Sequence, residues 1–448
     1  MGERERDITI YMDMKQLIKV SVAVMTMLLS GWLPSRGGDI KIGDLSYTII
    51  SNIECTVKVS SCDKSCEICD IPSTIKIDGT EYIVRELGSL AFYENSRLAV
   101  VNIPNSITFI RAGAFFGCSR LTSVNMANSV NEIEGGAFEG CSALTNVTIP
   151  KSVTYIESSA FNECTRLTEI NVASGNEHYS SENGVLYSKS GDKLIRYPQG
   201  KQETAFNISN SVTRIQEGAF EGCSALSEVT IPNSVRYIGT KAFANCTGLT
   251  HMTIPDLVTD INPYTFIGCW KLTNVTIPNS VTYIGNGAFK YCYGLTSINI
   301  PNSVKYIKDG VFECCSGLTS VTIPGSVKNI GRNSFTGCTG LKAVYCQWEE
   351  PIEGDSQLFE DYTYDNAVLY VPNGCESRYE SVEPWKSFVN INGYELMGIE
   401  DVTPDCGTDG YVVYNLRGVL MLKTTDIEKV RKLPGGVYIV NGRKLMLK

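Results

Sequence analysis

Apolar residues return along this chain at a fixed interval of 23 residues. Ala-Phe, or a close variant of it, ends at Phe92, Phe115, Phe138 and Phe161, and the series resumes at Phe220, Phe243, Phe266, Phe289, Phe312 and Phe335. One repeat, from Asn279 to Pro301, reads NSVTYIGNGAFKYCYGLTSINIP, and its neighbours differ mostly at polar positions. A period of this length predicts a solenoid, in which each repeat touches only its neighbours and stacking builds a continuous core. Leu295, Ile298 and Ile300 are spaced as a strand that turns its intervening residues outward, and Leu318, Val321 and Ile323 repeat the spacing one coil later. Pro301 ends that strand because proline has no amide hydrogen and restricts the residue before it. Val304 and Ile307 mark a shorter extended segment, and a tight helical turn should carry Phe312, Cys315 and Leu318 inward. The predicted fold class is a repeat solenoid, mainly β with short helical turns and with β caps at its ends.

The motifs IPNSVTYIG and GAFxGCxxLT resemble the BspA-like family of leucine-rich repeats, over roughly Asp44 to Asn392. The resemblance implies a right-handed leucine-rich-repeat-like coil in a secreted or surface-displayed protein of a bacterium or mucosal parasite. It also implies adhesion or interaction, with a host or microbial surface protein or glycan as partner.

Five regions follow. Residues 1–35 carry Lys15 and Lys19 ahead of an apolar run from Val20 to Leu33, the layout of a secretory signal. Residues 39–74 should form an N-terminal β cap, 75–345 the solenoid, and 346–392 a C-terminal cap that includes Trp385. Between Phe161 and Phe220 the interval widens to 59 residues. The excess, about 173–208, contains GVLYSKSGDKLIRYP, which reads as a β-hairpin. Residues 393–448 alternate as a small β-sandwich does, and LPGGVYIVNGRK within them resembles the sorting domain of type IX secretion. That resemblance implies a Bacteroidota source and delivery to the outer cell surface.

Of the 448 residues, 43% are hydrophobic and 19% charged, as in a globular chain, and the net charge of −9 argues against nucleic acid as a partner. Past the first 35 positions no apolar run reaches the length of a membrane span, so the mature chain is not expected to be membrane-spanning.

Nine of the 17 cysteines, Cys118, Cys141, Cys164, Cys223, Cys246, Cys269, Cys292, Cys315 and Cys338, stand three residues after a repeat phenylalanine. They form a column of small apolar core groups rather than a disulfide framework. Cys55, Cys62, Cys66 and Cys69 lie outside the repeat and admit either two local disulfides or a four-thiolate zinc site. Cys314, Cys346, Cys375 and Cys406 are scattered and receive no role.

Catalysis is disfavoured. The two histidines, His178 and His251, have no partner motif, and no carboxylate pair stands out, so the expectation is no enzyme and no cofactor. Binding belongs on the outward columns. One is a ladder of Asn125, Thr148, Asn171, Thr230, Thr253, Thr276, Asn299 and Thr322. Beside it runs a more variable column that includes Asn274, Ser297 and Ser320. A partly aromatic column holds Tyr155, Tyr237, Tyr283 and Tyr306, with charged residues at the same place in other coils, which implies solvent access. These residues serve either as ligand anchors or as shields over neighbouring coils.

Overall fold

The computed structural model describes residues 38–394 and, in the tail, 411–415, 420–424, 427–433, 436–440 and 443–447. The stretch 1–35 expected to be a secretory signal, Cys406 and the remainder of the tail lie outside the described residues. The protein is a β-solenoid with few helices. It divides into two compact units, one of residues up to Ala143 together with Ser152–Asn162, the other of Leu144–Lys151 and the chain from Glu163 onward.

In the first unit the strand Thr56–Cys62 lies between Leu45–Ser51, antiparallel, and Thr80–Leu87, parallel. The parallel ladder then continues through the two-residue strands Phe109–Ile110, Glu132–Ile133 and Tyr155–Ile156. A second parallel ladder joins Ile68–Asp70, Val100–Ile103 and Ser123–Met126. The segment 39–74 is thus more than a lid, because it contributes a rung to each ladder.

The second unit repeats this plan. Ile298–Asn299, Ser320–Ile323, Ala343–Cys346, Val368–Pro372 and Asn390–Tyr394 pair in parallel, and Asp260–Ile261, Tyr283–Ile284, Tyr306–Ile307 and Asn329–Ile330 form the companion ladder. The rungs therefore run past 345 and through the closing segment. A boundary at 393 would cut the last of them, since Gly393 pairs with Val371 and Tyr394 with Pro372. Trp385 is buried there and donates its indole N–H to the Ile352 carbonyl at 2.8 Å, while Tyr379 donates to the Trp348 carbonyl at 2.7 Å.

Between the ladders the backbone advances by successive i to i−3 turns: Cys315 N–H bonds to the Phe312 carbonyl and Leu318 N–H to that of Cys315, each at 3.0 Å. These turns drop the phenylalanines into a stack. Phe243, Phe266, Phe289 and Phe312 are fully buried, with ring centroids 5.4–5.5 Å apart and planes within 9° of parallel. Each burial contributes about 2–3 kcal/mol. The second residue after the phenylalanine is held at positive φ, by Gly268 and Gly337 at 71° and 74° and by Asn245, Tyr291 and Cys314 at 57–62°. Glycine adopts that conformation without cost and the others do not.

The widened interval holds a full coil and not only a hairpin. Tyr179–Glu182, Val185–Ser188 and Lys193–Arg196 form an antiparallel meander, whose last strand pairs in parallel with Arg214–Ile215. Tyr197 then occupies the phenylalanine place, stacked at 5.4 Å on Phe220. It stands 23 residues before Phe220, so the period resumes one coil earlier than the Ala-Phe dipeptide reveals.

In the tail, the described strands make one antiparallel sheet in the order Leu420–Thr424, Tyr411–Asn415, Gly436–Val440, Arg443–Leu447. The short helix Ile427–Arg431 contacts its first two strands. Among the described residues this is a sheet with a helix on it rather than a sandwich. All four strands are used in the one hydrogen-bonded layer.

Candidate binding surface

Three kinds of polar side chain in the repeat are spent on joining coils. The serine of Asn-Ser-Val donates to a valine carbonyl one coil back: Ser234 to Val212, Ser280 to Val258 and Ser303 to Val281, at 2.6–2.7 Å. The residue that opens each strand donates likewise, as in Thr250 to Ser227 at 3.1 Å and Thr273 to Thr250 at 2.9 Å. The cysteine thiol donates to the preceding phenylalanine carbonyl: Cys246 to Phe220 at 3.1 Å, and Cys269 to Phe243, Cys292 to Phe266 and Cys315 to Phe289 at 3.2 Å. Cys338 bonds to Phe312 at 3.1 Å and Cys223 to the Tyr197 carbonyl at 3.7 Å. In the first unit Cys118 and Cys141 do the same to Phe92 and Phe115. Cys164 is buried as well. A weak donor satisfying a buried carbonyl explains a thiol at this place beyond its fit to an apolar core. Burial pushes the Cys223 and Cys269 thiols up to about 12, which keeps them protonated and unreactive.

With those columns assigned to the scaffold, the surface left for recognition is narrow. In the second unit Asn274 and Thr276 stand exposed on the strand Asn274–Thr276, in register with His251 and Thr253. Ser297 and Ser320 are half-buried. Exposed His251 lies 4.0 Å from Glu228 and 3.0 Å from the Thr250 hydroxyl, so it belongs to a polar strand face and not to a reactive cluster. In the first unit Asn125 donates to the Asn102 side chain at 2.6 Å.

The tyrosines of the other column differ among themselves. Tyr306 is 44% exposed and pairs in register with half-buried Tyr283. The Lys308 ammonium sits 5.8 Å from the Tyr283 ring centroid. Tyr237 is covered by the Arg214 guanidinium at 4.2 Å, a shielding arrangement. Tyr155, in the first unit, is 49% exposed. Partial burial and then Glu157, Glu132 and Glu134 raise its phenol, which marks an acidic setting.

Sequence reasoning missed a second aromatic group in the second unit. Trp270 and Tyr264 are more than a third exposed, and Trp270 lies 6.4 Å from Tyr293, which in turn lies 6.1 Å from Tyr291. The signal was present. Trp270 and Tyr293 stand four residues after the repeat phenylalanine, where other coils carry Ser119, Ser142, Thr165, Ser224, Thr247, Ser316 and Thr339. Two successive coils exchange a small hydroxyl for a large ring, and the packing of the core does not require it.

Of the four cysteines near the amino terminus, the structure gathers three: Cys62, Cys66 and Cys69 are buried with their sulfur atoms within 4.8 Å of one another. Cys55 points elsewhere, its thiol 3.5 Å from the Asn52 carbonyl. An open cleft of about 680 Å³ near the end of the solenoid is lined by residues including Asn333, Thr336, Gln357, Asp361, Asp365 and Ser387. It brings neither a histidine nor a thiol to its carboxylates. No described helix is long and apolar enough to cross a membrane.

Comparison with known proteins agrees with this geometry. The family description "BspA type Leucine rich repeat region" matches in six copies, over residues 85–186, 199–316 and 259–366. The chain belongs to this family. Among solved structures it is similar to the pneumococcal vaccine antigen PcpA, at 18% identity and a TM-score of 0.53, over 81% of this chain and 100% of that one. A leucine-rich cell surface protein of Faecalibacterium prausnitzii aligns at 24% identity and a TM-score of 0.43, over 70% and 95% of the two chains. A leucine-rich repeat protein of Bacteroides ovatus aligns at 23% and 0.35, over 75% and 100%. The likeness to PcpA bears on the fold. No curated protein matches the chain in sequence.

Proposed function

We propose that the protein is a non-enzymatic, secreted or cell-surface binder that engages a host or microbial surface protein or glycan through its solenoid. The observation that carries this reading is the division of labour among the repeat's polar positions. Serine, threonine and cysteine columns bond coil to coil, whereas Asn274, Ser297 and Ser320 vary from coil to coil on the strand face, and Tyr155 and Tyr306 stand nearly half exposed. Large rigid rings with a polar tip are effective interface anchors. Membership of the BspA type family and the likeness to a pneumococcal vaccine antigen support a place outside the cell. The tail would serve delivery through type IX secretion from a Bacteroidota cell.

The test is Tyr283→Ala combined with Tyr306→Ala, against immobilised mucosal matrix proteins and glycans. Loss of two adjacent anchors should weaken binding by about 2 kcal/mol, roughly 30-fold in Kd, with little change in melting temperature. The competing reading, a spacer of the cell envelope, draws on the Arg214 cover over Tyr237. A screen that finds no ligand at micromolar concentration, with a double variant that melts markedly lower, would establish the spacer. The sorting role is tested separately by removing residues 395–448, which spares the last rung at Asn390–Tyr394. The truncated chain should fold and remain trapped in the envelope.

A further inference from the structure

We propose that Cys62, Cys66 and Cys69 form a three-thiolate site for a zinc-class divalent ion, which clasps the first rung of the strand face to the capping sheet. Cys62 ends the strand Thr56–Cys62, and Cys69 lies at the centre of Ile68–Asp70, whose partner is Val100–Ile103. Cys66 comes from the turn between them. Three sulfurs from one strand, one turn and a second strand thus converge within 4.8 Å, all of them buried. Tetrahedral zinc, with bonds of about 2.3 Å, needs sulfur atoms roughly 3.8 Å apart, so a contraction of about 1 Å or less closes the site. A disulfide would use only two of the three and strand the third, whereas an ion uses them all.

The surroundings are built to hold this arrangement. Cys62 N–H is fixed to the Ala91 carbonyl at 2.9 Å and Cys66 N–H to the Asp63 carbonyl at 3.1 Å. Asp63 is itself locked by the Ser65 amide and hydroxyl. Asn95, fully buried, stands three residues after Phe92, where later coils place the ladder cysteine. Its amide nitrogen donates to the Asp63 carbonyl at 3.0 Å and approaches the Cys62 sulfur at 3.9 Å, while its oxygen accepts from the Leu98 amide. Such a donor orients a thiolate ligand as outer groups do in metal sites. Cys55 is excluded as a fourth ligand, because it precedes the strand Thr56–Cys62 that Cys62 ends, and that strand advances about 3.3 Å per residue. The fourth position falls to water. Loading is balanced: one divalent ion enters as three thiols release three protons, and three sulfur–metal bonds form with no redox change.

The experiment uses the full chain, reduced and free of metal, titrated anaerobically with Co²⁺ as a spectroscopic probe and then with Zn²⁺. A sulfur-to-cobalt charge-transfer band saturating at one ion per chain is expected, discharged by zinc, with three thiols withdrawn from a thiol reagent. Cys66→Ser should weaken binding at least tenfold and Cys55→Ser should leave it unchanged. If Cys66→Ser does not fold, the stoichiometry and the count of protected thiols on the unaltered chain decide the matter. Absence of the band, protection of fewer than three thiols, or a disulfide between any two of these cysteines in protein taken from its native compartment would overturn the proposal.

Discussion

Replacing Cys269 with alanine should make the protein less stable at neutral pH and more stable above about pH 10. The thiol is fully buried and donates to the Phe243 carbonyl at 3.2 Å. At pH 7 its loss should cost about 1 kcal/mol, the worth of one weak hydrogen bond and a small void. Burial pushes the folded thiol up to about 12, against an ordinary value of 9.0. A group whose folded value is raised contributes its full stability below the unfolded value and loses it as pH climbs toward the folded one. At pH 10 the unfolded thiol is about nine-tenths ionised and the folded one about one-hundredth, a loss near 1.4 kcal/mol, growing to about 2.7 kcal/mol at pH 11. The two stability curves should therefore cross near pH 10. Urea unfolding at pH 7, 9, 10 and 11 measures the difference directly, and tyrosines such as Tyr187 and Tyr364, which burial pushes to about 12, cancel between the two proteins. A difference that stays constant from pH 7 to 11 would refute the reasoning, since the thiol would then not be desolvated in the folded state. The same direction holds for Cys246, Cys292, Cys315 and Cys338, so unfolding of this unit in alkali should be steep.

Phe266→Ala should cost about 3–5 kcal/mol in urea unfolding, because the ring is fully buried and stacked on both neighbours. Cys314→Gly should raise stability by about 0.5–1 kcal/mol, read as a higher urea midpoint, since the residue sits at φ 61° where the corresponding coils use Gly268 and Gly337. Arg111→Lys should lower the melting temperature of the first unit in low salt and less so in 1 M salt. The guanidinium binds both oxygens of Glu86 at 2.8–2.9 Å and one of Glu134 at 2.7 Å, a fork that an ammonium cannot reproduce, and the loss should be about 1–2 kcal/mol.

The repeat was legible because one physical requirement recurs in every coil. Nearly all coils meet it with a phenylalanine, a cysteine and a row of aliphatic strand residues, and a 23-residue period records that need without reference to anything distant. Family and fold class follow from it. The polar columns were legible only in part. That serine, threonine and cysteine bond to carbonyls one coil back depends on stacking distances, and sequence reasoning saw the cysteines as packing alone. Tyr197 was hidden for a related reason: it completes a coil whose other strands come from a meander, so the dipeptide marker is absent while the stacking position is kept. Trp270 and Tyr293 departed from the repeat in plain view, but only their partial exposure separates them from core aromatics. The four amino-terminal cysteines illustrate the limit best. Their spacing admitted any pairing, and the strand directions alone decided that Cys55 lies at one end of a seven-residue strand while Cys62, Cys66 and Cys69 meet at the other. Local chemistry is written residue by residue, but which distant side chains meet is settled by how the strands pair, and that pairing is a property of the folded chain.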